Sequence, residues 1–142
     1  MADHSHTRHR TGVIARRGLA VITLSLMANA IVLFAVQTGG VAPAFRPLSW
    51  GSVLFLTTIG ASGATVAYWI LARLAEEPDR TFRTLAAVVL VLSFVPDLTL
   101  ATNFPKATSA GIAVLMAMHV VVATISVGIF TRSAGGHERV TS

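Results

Sequence analysis

The sequence predicts an all-α membrane protein, an up-down-up-down bundle of four transmembrane helices. Three observations predict this fold class: four long apolar stretches, charges concentrated between them, and a composition that is 54% hydrophobic with a mean hydropathy of +0.71. A helix of ~20 apolar residues crosses the hydrocarbon core of a bilayer, which is about 30 Å thick. The four stretches are residues 19–36, 50–74, 85–101 and 110–130, and their charged residues are Arg73 and Asp97.

The positive charges orient the predicted bundle. The polar segments around the four stretches alternate between the two sides of the membrane. Of the eleven Lys and Arg residues, all but Arg46 and Lys106 lie in or beside the first, third and fifth segments. Because Lys and Arg in short loops stay in the cytoplasm, we expect both termini to be cytoplasmic. Beside a bilayer, such cations attract anionic lipid head groups, and we expect those partners rather than nucleic acid.

The chain of 142 residues has room for one domain. We expect a disordered basic tail over residues 1–17, a membrane domain over residues 18–132 and a second tail over residues 133–142. A cleaved signal peptide ending near Ala42-Pro43-Ala44 is the alternative for the first stretch. Apolar signal regions usually have about 7 to 15 residues. The stretch here is longer, so the sequence favours a retained first helix.

The residue types restrict the possible chemistry. The chain has no cysteine, which excludes disulfides, thiolate nucleophiles and cysteine-bound metals. His4, His6 and His9 form a short histidine-rich tract, for which a solvated tail is favoured over a metal site. A hydrolase built on Ser93, Asp97 and His119 is a weaker alternative, because it needs mutual geometry that spacing alone does not supply. We therefore expect no catalytic site, no cofactor and no metal.

Each apolar stretch carries polar side chains near the middle of the membrane. At about 1.5 Å per residue, these groups lie roughly 10 to 13 Å from the outer helix ends. An unpaired polar group is costly in hydrocarbon, so the sequence predicts that they turn inward and meet. The favoured interpretation is a hydrogen-bond network that fixes helix register, and the alternative is a proton-responsive or ligand-binding centre on His119. The predicted layer consists of Asn29, Thr57, Thr58, Ser93 and His119.

Asp97 is another costly residue within the four stretches. It follows Pro96, which loosens a helix, and it is predicted to lie in the outer leaflet about 6 Å from the helix end. Pairing with Lys106 is the simpler expectation for its carboxyl group. Counting rise along straight helices separates it by about 8 Å from the layer of His119, too far for direct contact unless the helix is broken. The alternative is a small cavity framed by both residues.

Small residues in the second stretch predict close helix packing. Gly60 with Ala64, and Gly63 with Ala67, have the small-xxx-small spacing that lets backbones approach in lipid. Packing inside the bundle is favoured over a dimer contact. Tyr68 lies at the inner end of the same stretch, where an aromatic side chain is expected to anchor the helix at the membrane interface.

Short motifs in the second half of the chain carry a resemblance. An Arg-Thr pair precedes the third stretch, a serine and a proline lie within it, and a Met-His pair lies within the fourth. With these motifs, residues 50–132 resemble a family of small bacterial four-helix membrane proteins of unknown function. The resemblance implies a fold and a multi-pass location in the bacterial inner membrane, and it transfers no activity. The motif residues are Arg83-Thr84, Ser93, Pro96, Met118-His119 and Arg132.

Two classes of function fit these observations. The favoured one is a non-enzymatic accessory, structural or regulatory membrane subunit that packs against a second copy or another membrane protein. The alternative is a small transport or ligand-binding bundle, whose polar layer is centred on His119.

Overall fold

The structure is a computed structural model that describes residues 3–41, 45–103 and 107–132. It describes the side chains of all these residues except 3–10 and 100–102. Each of its four α-helices contains a segment long and apolar enough to cross a membrane. No β-strand occurs in the described ranges, so the all-α prediction is confirmed. The helices are α1 (Asp3–Thr38), α2 (Trp50–Leu74), α3 (Pro78–Asn103) and α4 (Ser109–Phe130), with a short 3-10 helix at Arg46–Leu48.

The helix bounds agree closely with the predicted stretches for α2 and α4 and differ for α1 and α3. Helix α1 begins at Asp3, so the described part of the tail that we predicted to be disordered is helical. Extending an existing helix costs much less than nucleating one, and no proline interrupts this segment. Helix α3 begins at Pro78, because proline suits the first helical position and Asp79 complements the helix dipole.

Helix α1 packs against α2 and α4, and α3 packs against α4 and α2. The buried face of α1 follows the helical spacing of three to four residues. Gly18 lies directly against α2, because an added Cβ there would overlap the Thr65 side chain. The buried residues of this face are Gly18, Val21, Ser25, Asn29 and Leu33.

Two apolar clusters divide the interior. Along α1, α2 and α4, buried polar side chains fall between the residues of one cluster and those of the other. The interior is therefore layered, with a polar layer between two apolar ones. What we call the leucine cluster consists of Leu33, Phe45, Leu48, Val53, Ile112, Leu115 and Met118. What we call the aromatic cluster consists of Val21, Ala61, Tyr68, Phe82 and Phe130.

Three rings hold the aromatic cluster together. The ring of Tyr68 stacks on that of Phe130, with centroids 4.6 Å apart and planes 15° from parallel. Phe82 meets both rings edge-on, at 5.2 Å from Tyr68 and 5.6 Å from Phe130. The Tyr68 hydroxyl also donates to Asp79 Oδ1 at 2.7 Å. Tyr68 is therefore an interior contact between α2, α3 and α4, which differs from its predicted role as an interface anchor.

The connection from α1 to α2 is closed by polar contacts. Gln37 Nε2 donates to the Leu48 carbonyl oxygen at 3.2 Å, and Trp50 Nε1 donates to Gln37 Oε1 at 3.0 Å. The Ser49 hydroxyl accepts from the Ser52 backbone N–H and caps α2. These bonds fix the end of α1 beside the start of α2.

The small residues of α2 divide between two faces. Ala64 and Ala67 are half-buried and pack against the aromatic cluster. Gly60 and Gly63 are exposed, and an added Cβ at either would meet no atom within 4 Å. Successive helical residues are rotated by about 100°, and Ala61 takes the fully buried position of this turn. The two glycines thus differ from the prediction that they pack within the bundle.

Candidate functional site

Asn29 and Thr57 form the interior polar contact between α1 and α2. Asn29 Nδ2 donates to Thr57 Oγ1 at 2.9 Å, and both side chains are buried. Asn29 Oδ1 is buried as well and has no hydrogen-bond partner in the described part of the chain. Interhelical hydrogen bonds in membranes contribute about 0.6 kcal/mol on average. This pair is therefore suited to fixing the register of the two helices.

Ser25 and Ser126 are buried polar residues that the sequence analysis missed. The hydroxyl of Ser126 donates to the Val122 carbonyl oxygen of its own helix at 2.7 Å. Ser25 is fully buried, and its Oγ has no hydrogen-bond partner among the described residues. The sequence could have predicted the burial of Ser25, because a residue four places before Asn29 lies on the same helix face.

Two members of the predicted polar layer bond only to their own helices. Thr58 Oγ1 donates to the Leu54 carbonyl oxygen at 2.8 Å, and Ser93 Oγ donates to the Leu90 carbonyl oxygen at 2.7 Å. Back-bonding of this kind satisfies a hydroxyl without a second helix. The predicted layer therefore separates into the Asn29–Thr57 pair and a second site at His119.

The second site joins α3 to α4. His119 Nδ1 lies 3.1 Å from Asp97 Oδ2, with side-chain exposures of 42% for the histidine and 6% for the aspartate. Among the described side chains of α3, the buried ones are Phe82 and Asp97. Burial of a carboxyl group within a membrane helix is costly unless it has a partner. The imidazole of His119 is that partner.

The direct contact corrects the predicted gap of about 8 Å, which rested on helical rise alone. A helical side chain leans towards the N-terminus of its own helix. The end of α3 lies beside the start of α4, so Asp97 leans away from their connection and His119 leans towards it. The two side chains therefore meet, although their backbone positions lie at different heights along the helix axes. Asp97 therefore pairs with His119 rather than only framing a cavity with it; Lys106 lies outside the described residues.

The surroundings of Nδ1 determine where the imidazole hydrogen lies. Nδ1 is 2.9 Å from the Leu115 carbonyl oxygen and 3.1 Å from Asp97 Oδ2. Both neighbours are acceptors, so we assign the ring hydrogen to Nδ1. Asp97 Oδ2 has no well-directed hydrogen bond, because this hydrogen serves the carbonyl oxygen, and its contact with the ring is electrostatic.

The opposite edge of the ring is accessible. Nε2 has no hydrogen-bond partner in the described part of the chain and is not among the buried unpaired atoms. The site thus has a buried carboxyl group on one side of the ring and an open nitrogen on the other. Within the described residues no group of three or more His, Asp or Glu side chains could hold a metal ion. The side chains of His4, His6 and His9 lie outside that part.

The four apolar helices and their buried polar contacts define a multi-pass α-helical membrane protein. Comparison with known families places the chain more closely: residues 9–136 match a family of unknown function, DUF6069, and the chain belongs to that family. The resemblance expected for residues 50–132 is thereby confirmed, and the match also includes most of α1. The chain matches no curated protein and no solved structure.

Proposed function

We propose that this chain is a non-enzymatic membrane protein that binds or transports a small ligand at the Asp97–His119 pair. One observation carries the proposal: a buried carboxyl group orients an imidazole whose second nitrogen is accessible. Ionisable residues are costly within membrane helices and mark functional sites by default. The unpaired atom of the Asn29–Thr57 contact, Asn29 Oδ1, is buried within the bundle, whereas His119 Nε2 is accessible to a ligand from outside.

Native mass spectrometry of the protein released from its own membrane tests this proposal. We expect a mass above an integer multiple of the chain mass, because a retained ligand adds its own mass. His119→Gln should lose the excess, because the glutamine side chain cannot reproduce the ring. Thr124→Val should keep it, since the exposed Thr124 hydroxyl bonds only to the Val120 carbonyl oxygen of α4.

Two results would contradict the ligand-binding proposal. One is a bare chain from membranes of every growth condition, and the other is an excess mass that survives in the His119→Gln protein. In either case the Asp97–His119 pair would be a contact between α3 and α4.

We infer that the bundle has up-down-up-down topology, with both termini on the cytoplasmic side of the bacterial inner membrane. Two contacts near the end of α4 support this. Arg17 of α1 donates to the Phe130 carbonyl oxygen at 3.5 Å, and Arg83 of α3 donates to Thr131 Oγ1 at 3.2 Å. Both cations lie at the same end of the bundle as the end of α4. The positive-inside rule assigns this end to the cytoplasmic side, where the cations can bind anionic lipid head groups.

Cysteine labelling provides a direct test of orientation, because the chain has no cysteine of its own. In intact cells, a membrane-impermeant maleimide should label Arg46→Cys and should label Glu76→Cys only after the membrane is opened. Both positions are exposed. Removing Arg46 takes a positive charge from the outer side and so strengthens the charge asymmetry. Labelling of Glu76→Cys in intact cells would overturn the orientation.

An accessory or structural role is the second candidate function, and the outward glycines of α2 favour it. Gly60 and Gly63 leave open space on a face that also exposes Leu56 and Ile59. Close backbone approach in lipid depends on such small residues. A second polypeptide or a second copy in the native mass spectrum, lost in Gly60→Leu, would favour this role.

A further inference from the structure

The open nitrogen of His119 has a defined chemical character. Two acceptors adjoin Nδ1, so Nδ1 carries the hydrogen of the neutral ring and Nε2 presents a lone pair. The ring is part-exposed, and Nε2 lies on the edge opposite to these two acceptors. Nε2 is therefore a hydrogen-bond acceptor at the surface of the bundle.

An acceptor in this position needs a donor from outside the described chain. Acyl chains offer no hydrogen-bond donor, and an unsatisfied polar group in hydrocarbon costs several kcal/mol. A second copy placed symmetrically would bring two Nε2 acceptors together, which cannot bond without a shared proton or metal. The occupant that fits is a molecule dissolved in the bilayer with a hydroxyl group.

We propose that His119 Nε2 binds the hydroxyl group of a membrane-soluble alcohol or phenol that arrives laterally from the bilayer. Asp97 is a positioning residue: its carboxyl group, with Oδ2 3.1 Å from Nδ1, attracts the Nδ1–H edge of the ring electrostatically and so increases the electron density at Nε2. This inference deepens the proposed function, on which it rests, by naming the chemical class of the ligand.

Nitrogen NMR of histidine-labelled protein in lipid nanodiscs tests the hydroxyl requirement. The probes are 4-dodecylphenol and 4-dodecylanisole, which differ in that the second has a methyl ether in place of the hydroxyl group. The His119 resonances are those missing in His119→Gln. We expect Nδ1 to be protonated without ligand, and Nε2 to shift saturably with the phenol and stay unchanged with the anisole.

Two variants separate the positioning role from a structural one. Asp97→Asn keeps the shape of the side chain and removes the carboxylate. We expect about fivefold weaker phenol binding, because the hydrogen bond from the phenol hydroxyl to His119 Nε2 is weakened. Thr124→Val should bind the phenol as the wild type does. A structural role alone would lower the stability of Asp97→Asn and leave phenol affinity and the Nε2 shift unchanged.

Several results would overturn the inference. These are an Nε2-protonated ring in the free protein, an equal shift with the anisole, no saturable shift with the phenol, or a dimer that both chelators and His119→Gln dissociate. A native excess mass that His119→Gln removes, together with no phenol shift, would retain the proposed function and reject the hydroxyl class. Absence of both signals would reject both proposals.

Discussion

Replacing His119 by leucine is expected to destabilise the bundle by about 3 kcal/mol, the cost of leaving a buried carboxyl group without its polar partner. The substitution removes the ring that lies 3.1 Å from Asp97 Oδ2 and leaves the buried carboxyl group without that contact. The measurement is the free energy of unfolding in mixed micelles by denaturant titration. Val120→Leu is the control, because its side chain is exposed on the next position of α4.

The double substitution His119→Leu with Asp97→Leu should recover most or all of this stability. Replacing both partners of a polar contact by apolar side chains of similar shape can be nearly neutral or stabilising. The double mutant should therefore be more stable than the single mutant by about 2 kcal/mol or more, and it should bind no ligand. A double mutant as unstable as His119→Leu would contradict this prediction, because the unpaired carboxyl group would then not be the source of the instability.

Recovery of stability without ligand binding would separate the two interpretations of the pair. The pair would then be dispensable for stability and required for ligand binding. A site maintained for function is expected to cost stability, and the buried carboxyl group of α3 has that property.

The helices could be predicted from the sequence because hydrophobic length is a local property. Helix α2 has the predicted bounds, and α4 begins one residue earlier than expected. The family resemblance, carried by motifs in the second half of the chain, was also sufficient. Helix α1 was predicted too short because the composition of its first residues suggested a tail, and composition does not show where an established helix stops.

The side-chain contacts could be predicted less well. They depend on the rotation of each helix about its axis and on the direction of each side chain, not on the depth of the residue in the membrane. Ala61 is buried and Gly60 is exposed, although they are neighbours in the sequence. Asp97 and His119 meet because their side chains lean towards each other, a direction that counting helical rise ignores. Thr57 and Thr58 have nearly the same predicted depth in the membrane. They differ in that Thr57 bonds to Asn29 of α1, whereas Thr58 bonds to its own helix.

Phe130 has the second of the two largest expected effects on stability. Its side chain is fully buried between Tyr68 and Phe82, so Phe130→Ala removes two of the three ring contacts that join α2, α3 and α4. Core Phe→Ala substitutions in water-soluble proteins cost about 3–5 kcal/mol. In a bilayer the separated helices stay in lipid, so the cost does not include the transfer of the side chain from water. The remaining cost is the loss of packing contacts.

We therefore expect Phe130→Ala to lower the free energy of unfolding by about 2 kcal/mol, below the range for water-soluble cores. Phe55→Ala makes the same chemical change on the outward face of α2, where the side chain is 65% exposed. It should change stability by less than about 0.5 kcal/mol. Equal effects at the two positions would mean that the aromatic cluster does not hold the helices together. A loss at Phe130 of the full water-soluble size would instead mean that this end of the bundle opens to water when the helices separate.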